Sequence, residues 1–362
     1  MSVENPYKWR SRMPHDSDMF FGRKREIERL MDMLSGKTPQ NVSIVGERRI
    51  GKSSLANRVF HQLMQTGDTL PIYLDCDGLT KTCDSDNQFF QLLSQRFAEI
   101  LDREPGLNLK EQLGPGPEFS DYRGFRAFIA AVSSRDMKLV IFLDEFEHLP
   151  DKIFADNSFF SNLRALADKP DYSLAFVTIS KSEIKDLTHT HKAIKSSRFY
   201  NIFETVKIGL LDHDSIKELR QKGFEQSGFV LSGEEREKIS YYAGDFAFFN
   251  HVVCAFLWDA KHYNETPEWD DLEVKLLPYY KTLWDRPREE QVLLNKLKKE
   301  NENDDFGLKE LKVRGLVKKA GNLYYPFSDF FGSLIEKRLK VKNKITKDDI
   351  EEGIELIKKI KS

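Results

Sequence analysis

Residues 46–54 read GERRIGKSS, directly after the apolar run VSIV and directly before a segment in which Leu55, Val59 and Leu63 recur every four residues. Few short stretches restrict a fold so strongly. Gly46 to Ser53 fit the pattern G-x-x-x-x-G-K-[ST], and the flanks supply strand, glycine loop and helix in the order such a loop requires. Gly46 and Gly51 let the backbone turn so that successive N–H groups face an anion, while the helix that follows adds its positive N-terminal end. Lys52 can then reach the outer phosphates of a nucleotide, and the Ser53 hydroxyl suits Mg²⁺. Glu47, Arg48, Arg49, Ile50 and Ser54 complete the loop.

The surrounding sequence repeats this alternation of strand and helix. LPIYLD at 70–75, KLVIFLDE at 138–145 and YSLAFVTIS at 172–180 read as strands, the last two as continuous apolar runs. Strands covered on both faces by helices look like this, as in a parallel sheet. FETVKIG at 203–209 supplies a fifth strand. Ile27, Leu30, Met31 and Leu34 mark a helix that Gly36 ends, and NQFFQLLSQRFAEIL at 87–101 marks another. Proline and glycine between 105 and 117 mark a loop or insertion. One α/β domain over 21–210 is expected, behind an N-terminal arm of residues 1–20.

A phosphate loop also needs a carboxylate for the metal and a group that activates water. Asp144 ends the longest apolar strand, where it can hold Mg²⁺, and Glu145 follows as the candidate general base. Ser180, at the tip of SLAFVTIS, is the candidate that orients water or senses the outer phosphate, with Thr178 second. Arg198 in SSRFYN is a candidate arginine finger, in cis or toward a neighbour. Glu147 and His148 are read as surface residues as readily as functional ones. His189 and His191 form an HxH pair without further ligands at diagnostic spacing, so they read as loop histidines.

From Leu211 the strand signals fade. Helices over 211–268 form a lid, including AFFNHVVCAFLW at 247–258, whose Asn250 and His251 fit a buried helix better than a membrane span. A break at HYNETPEWDD precedes a helix-turn-helix domain with a two-stranded wing over 269–340, with REEQVLLNKLKKE as its first helix. The tail 341–362 reads as an amphipathic helix. Lys+Arg number 56 against 58 for Asp+Glu, so no global attraction to nucleic acid or membrane is expected. Three cysteines without CxxC spacing, and MSVENPYKWR without the apolar core of a signal peptide, point to a cytoplasmic setting.

Taken together, NPY followed by MFFGRKREIERL, then VGERRIGKSSL, IFLDEFE and SSRFYNIFETVKIGLLDHDS resemble the P-loop ATPases of the AAA-like and STAND type, over roughly residues 5–340. That resemblance implies ATP and Mg²⁺ as ligands and a sheet of order 5-1-4-3-2, with the phosphate-loop strand beside the Ser180 strand. It also implies base-side contacts from Phe21, Gly22 and Arg23, a helical lid at 241–258, and a winged helix-turn-helix from 287 to 340. At the lid the family pattern has a glycine and, two residues on, a proline; here the residues are Gly244, Asp245 and Phe246, so the proline is missing.

The function expected is a switch: Mg²⁺-dependent ATP binding with slow hydrolysis, in signalling or defence against mobile elements, through a protein effector or self-association. A DNA-binding ATPase resembling archaeal origin-recognition proteins is the first alternative. Residues 307–340 carry eight Lys or Arg, with Lys309, Lys312 and Arg314 on one helix and Lys318 and Lys319 at the wing, against three acids. Internal packing or protein binding accounts for that region more readily than DNA contact. A non-hydrolysing module stabilised by ATP is the second alternative.

Overall fold

The five runs read as strands are β1 (Val42–Gly46), β2 (Thr69–Asp75), β3 (Lys138–Asp144), β4 (Leu174–Ser180) and β5 (Glu204–Ile208), joined in one parallel sheet in the order β2-β3-β4-β1-β5. This is the 5-1-4-3-2 order. In the computed structural model the described residues are 4–79, 83–103, 118–152, 154–285, 297, 306–321 and 323–342. They fall into two compact units: Arg10–Ile208, and a second made of Met1–Trp9 together with Gly209–Ser362. The segment read as a single arm, residues 1–20, is therefore divided between them.

In the first unit every residue of β1, β3 and β4 is buried, because helices cover both faces of the sheet. The edge strand β5 alternates instead, burying only Val206 and Ile208. Among the described residues the unit's α-helices of six or more residues are α1 (Lys24–Ser35), α2 (Lys52–Met64), α3 (Asp86–Arg103), α4 (Tyr122–Ser133), α5 (Asn157–Ala167) and α6 (Lys192–Ser197). Asp121 and Asp156 cap α4 and α5 by accepting from the N–H groups of Gly124 and Phe159. Phe90, Phe97, Phe125 and Phe160 share one buried core with Ile141, Leu143 and Phe176 of the sheet. Each such side chain contributes about 1.5–3 kcal/mol by leaving water.

The strands end level with one another, which is what prepares the site. Val45 lies opposite Ser180, while Asp144 lies opposite both Ile179 and Asp75. The chain leaves β1 in the middle of the sheet and next enters it at the far edge as β2, so the crevice beside β1 opens at a switch in strand order.

The second unit is helical, with α7 (His213–Gln226), α8 (Gly233–Ala243), α9 (Ala247–Tyr263), α10 (Trp269–Trp284), α11 (Phe306–Val313) and α12 (Asp329–Lys342). Strands β6 (Val317–Ala320) and β7 (Leu323–Pro326) pair as an antiparallel hairpin, the expected two strands. Helix α9 is buried on nearly all sides, Asn250 and His251 included. Among the described residues no helix is long and apolar enough to cross a membrane. Tyr280 is the centre of an aromatic core, stacked on Phe249 at 4.1 Å and on Phe327 at 5.9 Å between ring centroids. Gly244 has φ +50°, and a Cβ there would lie 1.8 Å from the Phe327 carbonyl oxygen, so only glycine fits. Its own carbonyl accepts from Arg220 and Asn250, at 2.7 and 2.9 Å. Residues 4–9 complete this unit: Tyr7 donates to the Arg220 carbonyl, and Asn5 to Ala255 and Asp259.

Helix α10 corrects the sequence reading, which passed from the break at 262–271 straight to a helix at 288–300. Pro278 is accommodated inside this helix, whose Leu272, Leu276, Tyr280 and Leu283 form the buried stripe. Apart from residue 297, the expected helix at 288–300 lies outside the described residues, as do most of the tail expected over 341–362 and the whole of the loop at 105–117.

Candidate functional site

The glycine loop is shaped by two close constraints. A Cβ on Gly46 would lie 2.5 Å from the Ile208 carbonyl oxygen, so β5 can run past the loop only if residue 46 is glycine. Gly51 has φ +105° and turns the chain into α2. No side chain caps the first turn of α2, which leaves its N–H donors directed to whatever the loop encloses. Lys52 folds back over the loop and donates to the Glu47 carbonyl at 3.1 Å. Glu47 is fully buried and its carboxylate accepts from the N–H of Arg48 at 3.1 Å, whereas Arg48 and Arg49 are exposed. Arg49 also takes a left-handed conformation, with φ +64°.

Asp144 stands at the end of β3, buried, and gathers four donors. One oxygen accepts from Ser53 Oγ at 3.1 Å and from the Glu145 N–H at 3.0 Å. The other accepts from Tyr73 Oη at 2.6 Å and from Arg12 Nη2 at 3.0 Å. A hydroxyl in direct contact with a buried carboxylate is the hard-oxygen pair that Mg²⁺ takes, and the carboxylate already draws a cationic side chain. Ser53 and Asp144 thus fit the metal that the loop implies.

Glu145 adopts φ +50°, unusual for a residue with a side chain and typical of strained positions at functional sites. Crowding by the protein and then repulsion from Glu147 push its carboxyl above the usual range, with Lys52 opposing. Desolvation pushes the Lys52 ammonium down, while the carboxylates of Glu147, Glu145, Glu47 and Asp144 resist it, Glu147 most. Glu147 accepts from the Lys181 N–H at 3.4 Å, and its second oxygen is buried without a partner among the described residues. It therefore belongs to the charge cluster rather than to the surface.

Ser180 is where the sequence placed it, at the tip of β4 opposite Val45, but its hydroxyl donates to the Ser182 carbonyl at 2.5 Å. Local backbone satisfies it in this arrangement. Thr178 is buried with no partner among the described residues, facing Ser43 across the strands in the same condition. Gly22 and Arg23 have φ +67° and +65°, and Arg23 is buried with one guanidinium nitrogen 3.4 Å from the Ile50 carbonyl and another on Glu26. The half-buried Phe21 thus precedes a turn that abuts the glycine loop. Arg198 is exposed in a left-handed turn after α6, outside the cluster around Asp144. His191 lies 3.7 Å from Asp151, and no third ligand joins the HxH pair among the described residues.

Sequence reasoning missed Arg12 and Tyr73. Tyr73 carried a readable signal, a hydroxyl-bearing residue inside an otherwise apolar strand two positions before its end. Arg12 carried none, since residues 10–20 have no periodicity from which a contact 132 residues away can be inferred.

Two family models match this chain: the AAA ATPase domain over residues 19–177 and the novel STAND NTPase 2 family over residues 122–286. The chain is similar to an uncharacterized WD repeat-containing protein, slr0143, of Synechocystis sp., at 26% identity over 192 residues. That match takes in 50% of this chain but 16% of the relative's length. Among solved structures it is similar to the Walker-type ATPase PABY2304 of Pyrococcus abyssi, with TM-score 0.62 and 16% identity, covering 91% of this chain and 99% of that one. The ORC2 protein of Aeropyrum pernix, in ADPNP–ADP complexes, gives TM-score 0.51 and 14% identity over 93% and 98%. At these identities the structures speak for the fold.

Proposed function

Because the chain belongs to the AAA-like, STAND-type P-loop ATPases, we propose that it binds ATP with Mg²⁺ at the carboxyl ends of β1 and β3, hydrolyses it slowly, and works as a nucleotide-controlled switch. The observation that carries this reading is the joining of the two motifs, Ser53 Oγ lying 3.1 Å from the Asp144 carboxylate.

In this reading the loop N–H groups and the start of α2 hold the phosphates, and Lys52 leaves the Glu47 carbonyl to neutralise the outer ones. Ser53 and Asp144 hold Mg²⁺, which when bound offsets charge on the phosphate oxygens. Glu145 takes the proton of the attacking water, and a carboxyl pushed upward by burial and then by Glu147 is the stronger base for it. Phe21, Gly22 and Arg23 form the base-side wall, and Arg198 is available to a neighbouring copy. In this reading the switch serves signalling, with defence against mobile elements as one such role, and acts through an effector or self-association; family analogy is its support.

Phosphate release by Glu145→Gln should fall about 10²- to 10⁴-fold with ATP affinity kept within about threefold. Turnover equal to that of the unaltered protein would remove Glu145 from catalysis. Light scattering with ATP, with ADP and without nucleotide tests self-association. A second reading, DNA contact, rests on exposed Lys309 and Lys312 on α11 and Lys318 and Lys319 on β6. It requires duplex affinity that falls steeply with salt.

A further inference from the structure

Residues 12–20 lie along α2 and over the metal half of the site. Met13 N–H donates to Ser54 Oγ at 3.3 Å, one residue from the metal-binding serine, and Asn57 donates back to the Met13 carbonyl at 3.3 Å. Arg58 donates to the Ser17 carbonyl at 3.2 Å and lies over the Phe20 ring at 4.9 Å, while His15 stacks on His61 at 3.6 Å. Arg12 leads this segment into the carboxylate. Its guanidinium lies over the Tyr73 ring, 4.2 Å from the centroid, and bonds Asp144 Oδ2 beside the Tyr73 hydroxyl. The Asp144 side chain is 6% exposed and that of Arg12 36%.

Charge explains why a cation is drawn there. Glu47, Asp144, Glu145 and Glu147 all act on Lys52, so four carboxylates share one ammonium, and Arg12 brings the second positive charge. A divalent cation on Asp144 and Ser53 would neutralise the carboxylate from its Oδ1 side and remove the electrostatic reason for Arg12 to stay on Oδ2.

We propose that the arm of residues 10–20 is a metal-gated latch: Arg12 holds Asp144 when no cation does, and Mg²⁺ with nucleotide displaces it and frees the arm from α2. This rests on the reading that Ser53 and Asp144 bind Mg²⁺. The phosphate half, Gly46 to Lys52, has no part in the latch, so nucleotide without metal can enter while the arm stays down.

The test uses the full chain and a fluorescent ADP analogue, titrated with Mg²⁺ at fixed nucleotide. In Arg12→Ala and Arg12→Gln the Mg²⁺ concentration for half-maximal effect should fall about tenfold, the size expected for an ion pair with one buried and one half-exposed partner. Trypsin gives a readout independent of activity: cleavage after Arg10 should accelerate with Mg²⁺ plus ADP over ADP in EDTA, and Asp144→Asn should be cleaved fast in both. An unchanged Mg²⁺ requirement, or cleavage indifferent to metal, overturns the latch. Weaker Mg²⁺-nucleotide binding in the Arg12 variants overturns it too, because Arg12 would then be a phosphate ligand. If the unaltered protein binds no nucleotide at all, the reading of the site itself fails and takes the latch with it.

Discussion

The two units bury polar groups in opposite ways. In the sheet unit the interior is apolar apart from hydroxyls such as Ser43 and Thr178, and ionisable residues crowd at the strand ends, where Asp144, Glu145 and Glu147 act on one another and on Lys52. In the helical unit the buried polar groups lie within the core and are mostly bound to backbone: Arg220 and Asn250 to the Gly244 carbonyl, Tyr280 to that of Tyr242. Mutual repulsion, left unresolved until a ligand arrives, is a property of a binding site. Satisfied polar groups inside a core fix one arrangement of helices.

Removing a charge from the first unit and a ring from the second should therefore fail differently. Lys52→Ala should weaken ATP binding by on the order of 100-fold or more, as expected for loss of a charge-assisted phosphate contact. Calorimetric titration checks it. An intact affinity would show that the loop does not hold the phosphates.

Tyr280→Ala deletes a fully buried ring stacked on Phe249 and Phe327, and should cost the helical unit about 3–5 kcal/mol. Denaturant unfolding followed by a probe in each unit would show the shift in one and not in the other. A common shift would mean that the units unfold together.

The smallest and most specific effect concerns acid. Burial pushes the His251 imidazole down to about 4 from its ordinary 6.5, and its Nδ1 has no partner among the described residues. The folded protein therefore keeps it neutral, while the unfolded chain takes up a proton below pH 6.5. Its contribution is complete above that pH and is lost as pH falls toward 4, in total about 3 kcal/mol. Unfolding free energies of the unaltered protein and His251→Phe, measured from pH 7 to 4, should diverge in slope over that window and nowhere else.

What could be read from sequence divides along similar lines. The strands of the ATPase unit were legible because doubly covered strands are continuous apolar runs, and the loop was legible because glycine spacing carries its own geometry. Asp144 followed from its place at a strand end. Its neighbour Arg12 did not, since an ion pair between a nonperiodic arm and a distant strand leaves no local pattern. Ser180 shows the middle case, in which position was readable but the direction of a hydroxyl, decided by a turn two residues on, was not. In the helical unit α10 was not read, although Leu272, Leu276, Tyr280 and Leu283 follow helical spacing around the included Pro278.

Tyr7 and Gly223 carry a consequence for the order of events during synthesis. A Cβ on Gly223 would lie 2.5 Å from the Tyr7 ring, so the ring fills a slot in α7 shaped for it. Yet Tyr7 leaves the ribosome about two hundred residues before α7 does, and the whole of Arg10–Ile208 is made in between. At the usual 5–20 residues per second this is a wait of roughly 10–40 s. The sheet unit, continuous in sequence, can complete its sheet on the ribosome, while the helical unit stays an open set of aromatic faces until the earlier-made residues around Tyr7 return to close it.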